Sequence, residues 1–285
     1  MTYSVKVIQS RSKGIGRQLV LGTGLWLGLL SPTLAVPAGQ ELVLAIQPIL
    51  SEAQTRKAYL PLAQYISQVT GKKISISTVP NFMSYWSKIV AVQKGTIYLD
   101  AAHFTAYRAR KQGYQILAKV PDTVSYTLIV RDEDMVFDPS ELTGKRIATL
   151  GSPSIGAARL NGMFPNPMRQ PIIVEVEDSK KGISMLLDNK VYAAIIPTPI
   201  VSQAMVEGTP ISVVSTTEPI PHIALSVSPD LDKAMVEKIR QALISAQKKP
   251  DGKTMLKEIG FAKFDPANQA VYAGQDNVLK DYWGY

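Results

Sequence analysis

From residue 41 onward, short apolar runs alternate with stretches in which apolar side chains recur every three or four positions. Runs of the first kind, bounded by Gly or Pro, predict strands, and the second kind predict amphipathic helices. Residues 41–47 read as a buried strand ended by Pro48. Residues 52–70 put Tyr59, Leu62, Ala63, Ile66 and Val69 on one helical face, with Gly71 placed to stop the helix. A strand over 73–79, a helix over 82–93 closed by Gly95, a strand over 97–102 and a helix over 105–112 before Gly113 continue the alternation. Such a rhythm predicts parallel strands with helices packed on the sheet faces.

Strands are predicted over 115–120 and 125–130, around Pro121-Asp122, followed by a short helical turn over 138–144. The rhythm then restarts: strand 146–150, helix 155–161, strand 172–176, helix 179–189, and strands 192–196 and 211–215. A last strand over 223–227 precedes a long helix over 230–248, and the tail from Asp251 reads as helix plus irregular wrapping. Two α/β units joined by extended segments near Val124 and Thr216 predict a two-lobe α/β fold, with mixed sheets flanked by helices and a cleft between the lobes. The expected division is 39–124 for the first part of lobe 1, 125–216 for an inserted lobe 2, and 217–285 for the return to lobe 1. Ligands of open α/β sheets sit beyond the carboxyl ends of the strands, so Pro48, the region of His103 and the loop at Ser152 are expected to face one space.

Residues 1–38 stand apart from this pattern. Lys6, Arg11, Lys13 and Arg17 precede an uncharged apolar run over 19–30, and small residues at Ala35 and Ala38 offer two cleavage positions. That order is a secretory signal, and the run is short for a membrane span. The expected destination is the periplasm. The whole chain carries 31 basic and 23 acidic residues, a net charge of +8; without the four basic residues of the leader, 27 face 23, and the net is +4. So mild an excess suits a small anionic ligand and argues against a nucleic-acid partner. The absence of cysteine excludes disulfides and thiolate metal ligands, and with two histidines and no helical His pair neither a metal site nor a cofactor is expected.

The strand over 146–150 runs into Gly151-Ser152-Pro153-Ser154-Ile155-Gly156 and then a helical pattern. The first amides of a helix lack intrahelical acceptors, and together with the helix dipole they favour an oxyanion. Ser152, Ser154, Ile155 and Gly156 are therefore candidate ligand contacts, although Ser before a helix also serves as an ordinary cap. Tyr126 where the chain crosses between lobes, His103 after a strand end and Tyr85 on its helix are further candidates. The position two before Ser154 is Ser152, not the Gly of a nucleophile elbow, and no acid–base constellation is visible, so no enzyme activity is expected.

Several of these segments together resemble one family. Tyr59-Leu60-Pro61-Leu62-Ala63 with Thr70-Gly71, Gly95-Thr96-Ile97-Tyr98-Leu99-Asp100-Ala101-Ala102 followed by Tyr107, Tyr126, the turn from Asp138 to Gly144 with Lys145, and the Ser loop occur in the family's order. The chain thus resembles the periplasmic substrate-binding proteins of phosphate, phosphite and phosphonate ABC transporters. The resemblance implies a monomeric protein that closes two lobes over a small oxyanion and delivers it to an ABC permease, or, in an alternative role, signals to a sensor kinase. Two departures stand out: Pro153 removes a possible N–H donor from the loop, and Glu177-Asp178-Ser179-Lys180 stands where many relatives carry His.

Overall fold

The computed structural model describes residues 41–285, so the expected leader lies outside the described residues. The chain begins with β1 (Leu42–Ile46), α1 (Glu52–Thr70), β2 (Ile74–Ser77), α2 (Phe82–Ile89), β3 (Thr96–Asp100), α3 (Ala102–Gln112) and β4 (Gln115–Lys119). Next come β5 (Thr123–Val124), β6 (Tyr126–Arg131), β7 (Arg146–Thr149), α4 (Ile155–Met163), β8 (Ile172–Glu175), α5 (Ser179–Leu187), β9 (Ala193–Pro197), α6 (Thr198–Val206) and β10 (Ile211–Thr216). The chain returns through β11 (Ile220–Pro221), β12 (Ala224–Val227), α7 (Lys233–Ile244), α8 (Pro250–Ile259), β13 (Asp265–Pro266) and α9 (Gln269–Tyr272).

Two mixed sheets result. The first has the order β13-β4-β12-β3-β1-β2, with β1 parallel to both β2 and β3 and β12 antiparallel between β3 and β4. The second has the order β10-β6-β9-β7-β8, with β7 parallel to β8 and β9 and the remaining pairs antiparallel. Two strands from late in the chain, β12 and β13, thus complete the first sheet after all strands of the second have been supplied. The two crossing segments pair with each other, Ile220 opposite Val124 and Pro221 opposite Thr123, while Thr216 still belongs to β10 opposite Thr127.

Side-chain alternation gives each sheet two buried faces. In the first, Leu42, Leu44, Ile46, Ile97 and Leu99 pack with α1, α7 and α8. Ala45 and Tyr98 point the other way, into an aromatic cluster with Phe82, Tyr85, Trp86, Phe104 and Tyr107. In the second, Ile129, Ala194 and Ile196 share one cluster, and Leu128, Val130, Ala193 and Ile195 the other. This burial on both faces makes the strands read as continuous apolar runs.

Helix α1 keeps the predicted bounds because both ends are written locally. Ser51 and Gln54 form a capping box, and Gly71 ends the helix at φ 69°. The helix expected over 82–93 instead stops at Ile89, since the Gln112 amide donates to the carbonyls of Ile89 (2.6 Å) and Val90 (3.2 Å), and the chain then runs to Gly95. Helix α3 starts earlier than expected, at Ala102. The long helix expected over 230–248 is α7 plus a separate 3-10 turn, Ala246–Lys248. Helix α6 follows β9 directly and was not expected; its apolar sequence has no single polar face, and Pro199 is tolerated in its first turn. Among the described residues no helix is long and apolar enough to cross a membrane.

Candidate ligand-binding cleft

Every parallel strand of both sheets hands over to a helix at the same side of the molecule, and these junctions line one cavity of about 550 Å³. Gln47, Ile49, Leu50 and Gln54 come from the β1–α1 junction, Phe82 from the start of α2 and Ala101 from the start of α3. Across from them stand Leu150, Ser154, Ile155 and Gly156 of β7–α4, Asp178, Ser179 and Lys180 of β8–α5, and Pro197, Pro199 and Ile200 of β9–α6. Parallel strands put their carboxyl ends, and hence the starts of the following helices, at one edge, which is why the site collects there.

The start of α4 behaves as a donor pair. Ser154 is its cap, buried, with its hydroxyl accepting from Ala157 N–H (3.2 Å) and its own N–H donating to the Gly151 carbonyl (2.9 Å). The amides of Ile155 and Gly156 have no acceptor among the described residues. Gly156 also allows the Tyr126 ring to lie against the backbone: a Cβ there would sit 3.2 Å from Tyr126 Cδ1. The Tyr126 hydroxyl makes no hydrogen bond among the described residues, and burial pushes its pKa far up, so it stays protonated and able to donate.

The start of α5 supplies a second set. The Asp178 carboxylate is the cap, its Oδ1 accepting from Lys181 N–H at 2.7 Å. Ser179 beside it is only 7% exposed, and its hydroxyl has no partner among the described residues. Lys180 adds a cation at the cavity wall, whereas Glu177 is exposed and outside the lining.

Of the residues singled out in the sequence, Tyr126, Ser154, Ile155 and Gly156 meet at this cavity, and Ser152, His103 and Tyr85 are outside its lining. Tyr85 donates its hydroxyl to Asp100 Oδ2 at 2.7 Å inside lobe 1, where Asp100 also pairs with Arg108 at 2.6 Å and both charged side chains are fully buried. The tyrosine serves that buried ion pair. His103 is fully buried and bonds the Pro153 carbonyl through Nε2 at 2.9 Å, which ties the start of α3 to the loop before α4. Burial lowers its pKa to about 4, so the ring is neutral and Nε2 carries the proton.

Four polar contributors to the lining were not among the candidate contacts: Ser179, Lys180, Tyr59 and His222. The Asp-Ser-Lys start of α5 could have disclosed the first two, because Asp at a cap leaves the next amides and hydroxyl free. His222 accepts from Ile223 N–H at Nδ1 (2.8 Å), which leaves Nε2 as its protonated nitrogen, and burial lowers its pKa. Tyr59 is buried, with its pKa pushed up to about 12 by desolvation. Among the described residues no group of three or more His, Asp or Glu side chains could hold a metal ion.

Two α/β lobes joined by paired crossing strands, with a ligand-sized cavity at their strand-to-helix junctions, are the two-lobe fold of the periplasmic binding proteins. The family model for the phosphonate ABC transporter periplasmic substrate-binding protein matches residues 44–272, and the chain belongs to that family. PhnD1 of Prochlorococcus marinus, solved with methylphosphonate, is similar in fold with a TM-score of 0.69 at 9% identity, over 84% of this chain and 96% of that one. A Xanthomonas citri protein bound to ATP gives 0.66 at 15% identity over 83% of this chain and 97% of its own. A phosphonate-transporter binding protein of Pseudomonas aeruginosa gives 0.65 at 12% identity, over 82% and 84%. No curated protein matches the sequence.

Proposed function

We propose that the protein captures a small oxyanion of the phosphate, phosphite or phosphonate type in this cavity and delivers it to an ABC permease, working in the periplasm after removal of residues 1–38 as a signal peptide. The observation that carries the reading is the convergence of unsatisfied donors: the amides of Ile155 and Gly156 and the hydroxyls of Ser179 and Tyr126. Donors held by helix starts need no reorganisation to replace the water shell of an anion, and each charge-assisted bond is stronger than a neutral one. The Ser154 hydroxyl, whose oxygen already caps α4, keeps its proton for the same ligand. Lys180 offsets the ligand's charge.

Isothermal calorimetry of the purified protein with phosphate, phosphite, methylphosphonate and sulfate tests this. Saturable binding of at least one phosphorus oxyanion is expected, and silence with all four removes the oxyanion assignment.

A further inference from the structure

We infer that the oxyanion this cleft accepts carries a bulky apolar substituent, so that the ligand is an alkyl- or arylphosphonate or a phosphate monoester of similar shape. The inference rests on the oxyanion reading and adds the chemistry of the rest of the molecule. The donors described above occupy one part of the lining. Around them Ile49, Leu50, Phe82, Ile200, Ile223 and Phe261 supply an apolar wall drawn from both lobes.

Three observations favour a hydrocarbon over a polar substituent. First, a cavity of about 550 Å³ falls in the range of roughly 300–1,000 Å³ that takes drug-sized molecules, and a bare tetrahedral oxyanion fills little of it. Second, each of the three glutamines in the lining has one end of its side-chain amide already held within the protein. The Gln47 carbonyl accepts from Ala101 N–H (3.0 Å), the Gln54 carbonyl from Ser51 (3.1 Å), and Gln203 donates to Glu207 (2.6 Å). Third, the one carboxylate in the lining among the described residues, Asp178, belongs to the start of α5 beside the Ser179 donor and caps that helix through Oδ1, so it does not stand among the apolar wall residues. Tyr59 and His222 keep one donor each, which suits an ester or ether oxygen better than a cation.

Calorimetry with methyl-, butyl-, hexyl- and phenylphosphonate, beside hexanol and hexylammonium, tests the inference. Affinity is expected to rise roughly fourfold for each methylene buried over the first few carbons. Ile200→Ser, at a side chain 37% exposed and outside the packed core, is expected to flatten that rise, with a thermal melt confirming that the variant folds. Equal or weaker binding of the longer phosphonates than of methylphosphonate overturns the substituent and leaves the oxyanion reading standing. If no phosphonate binds while phosphate or phosphite does, this inference fails alone; if hexanol or hexylammonium matches hexylphosphonate, the oxyanion reading fails and takes this inference with it.

Discussion

His103 Nε2 lies 2.9 Å from the carbonyl oxygen of Pro153, a fully buried hydrogen bond that joins the first turn of a lobe 1 helix to the loop preceding a lobe 2 helix. Ile155, two residues further on, packs in one cluster with Ala101, Ala102 and Ile220, so this contact sits in the apolar zone where the lobes meet. The same loop that presents the Ile155 and Gly156 amides to the cavity is thereby held from behind.

Burial of this ring makes stability depend on pH. Desolvation lowers the His103 pKa from 6.5 to about 4; the hydrogen bond to Pro153 and the charge of Asp100 oppose the effect, and Arg108 and Arg159 add to it. A histidine depressed in the folded state binds fewer protons there than in the unfolded chain. Its contribution is therefore whole above pH 6.5 and is lost as the pH falls towards 4, a change of about 3 kcal/mol. Urea unfolding at pH 7 and pH 4.5 is expected to show most of this loss. His103→Gln, which can still donate, is expected to flatten it.

Ser179→Ala removes a hydroxyl that holds no other group among the described residues. A hydrogen bond to a charged ligand contributes about 1.5–3 kcal/mol, so oxyanion affinity should fall roughly tenfold or more. The melting temperature without ligand should stay where it is. Calorimetry and a thermal melt on the same sample separate the two effects.

Gly156→Val would drive a side chain into the Tyr126 ring, whose Cδ1 lies 3.2 Å from the position of a Cβ, with Ile195 at 3.8 Å behind it. Overpacking of this kind costs about 1–3 kcal/mol. Because the displaced ring carries a donor of the cavity, denaturant unfolding and ligand titration should both worsen in this variant.

Arg108→Leu leaves the Asp100 carboxylate buried with only Tyr85 and Thr105 as donors. Loss of one partner from a buried pair destabilises by about 3–5 kcal/mol, and replacing Asp100 by Leu as well should recover part of it. Denaturant midpoints of the single and double variants measure this, and the cavity residues are not involved.

Much of the architecture was legible because it is encoded locally. The Ser51–Gln54 cap and Gly71 bound α1, and the apolar runs that became β1, β3, β6 and β9 are continuous because both faces of their sheets are covered. Helix ends set by distant groups were not legible. Nothing within residues 82–93 announces that Gln112 takes the carbonyls of Ile89 and Val90.

The candidate site divides in the same way. The sequence by itself determined that a helix starts at Ile155 behind a Ser cap, and so that its first amides have no intrahelical acceptor. It could not decide which neighbours surround them. His103 and Tyr85 carry side chains suited to ligands, yet tertiary packing turned one to Pro153 and the other to Asp100, since a buried polar group takes the nearest partner that satisfies it. Packing likewise brought Ser179, Lys180 and the apolar wall around the α4 amides, because parallel strands distant in sequence end at one edge of a sheet.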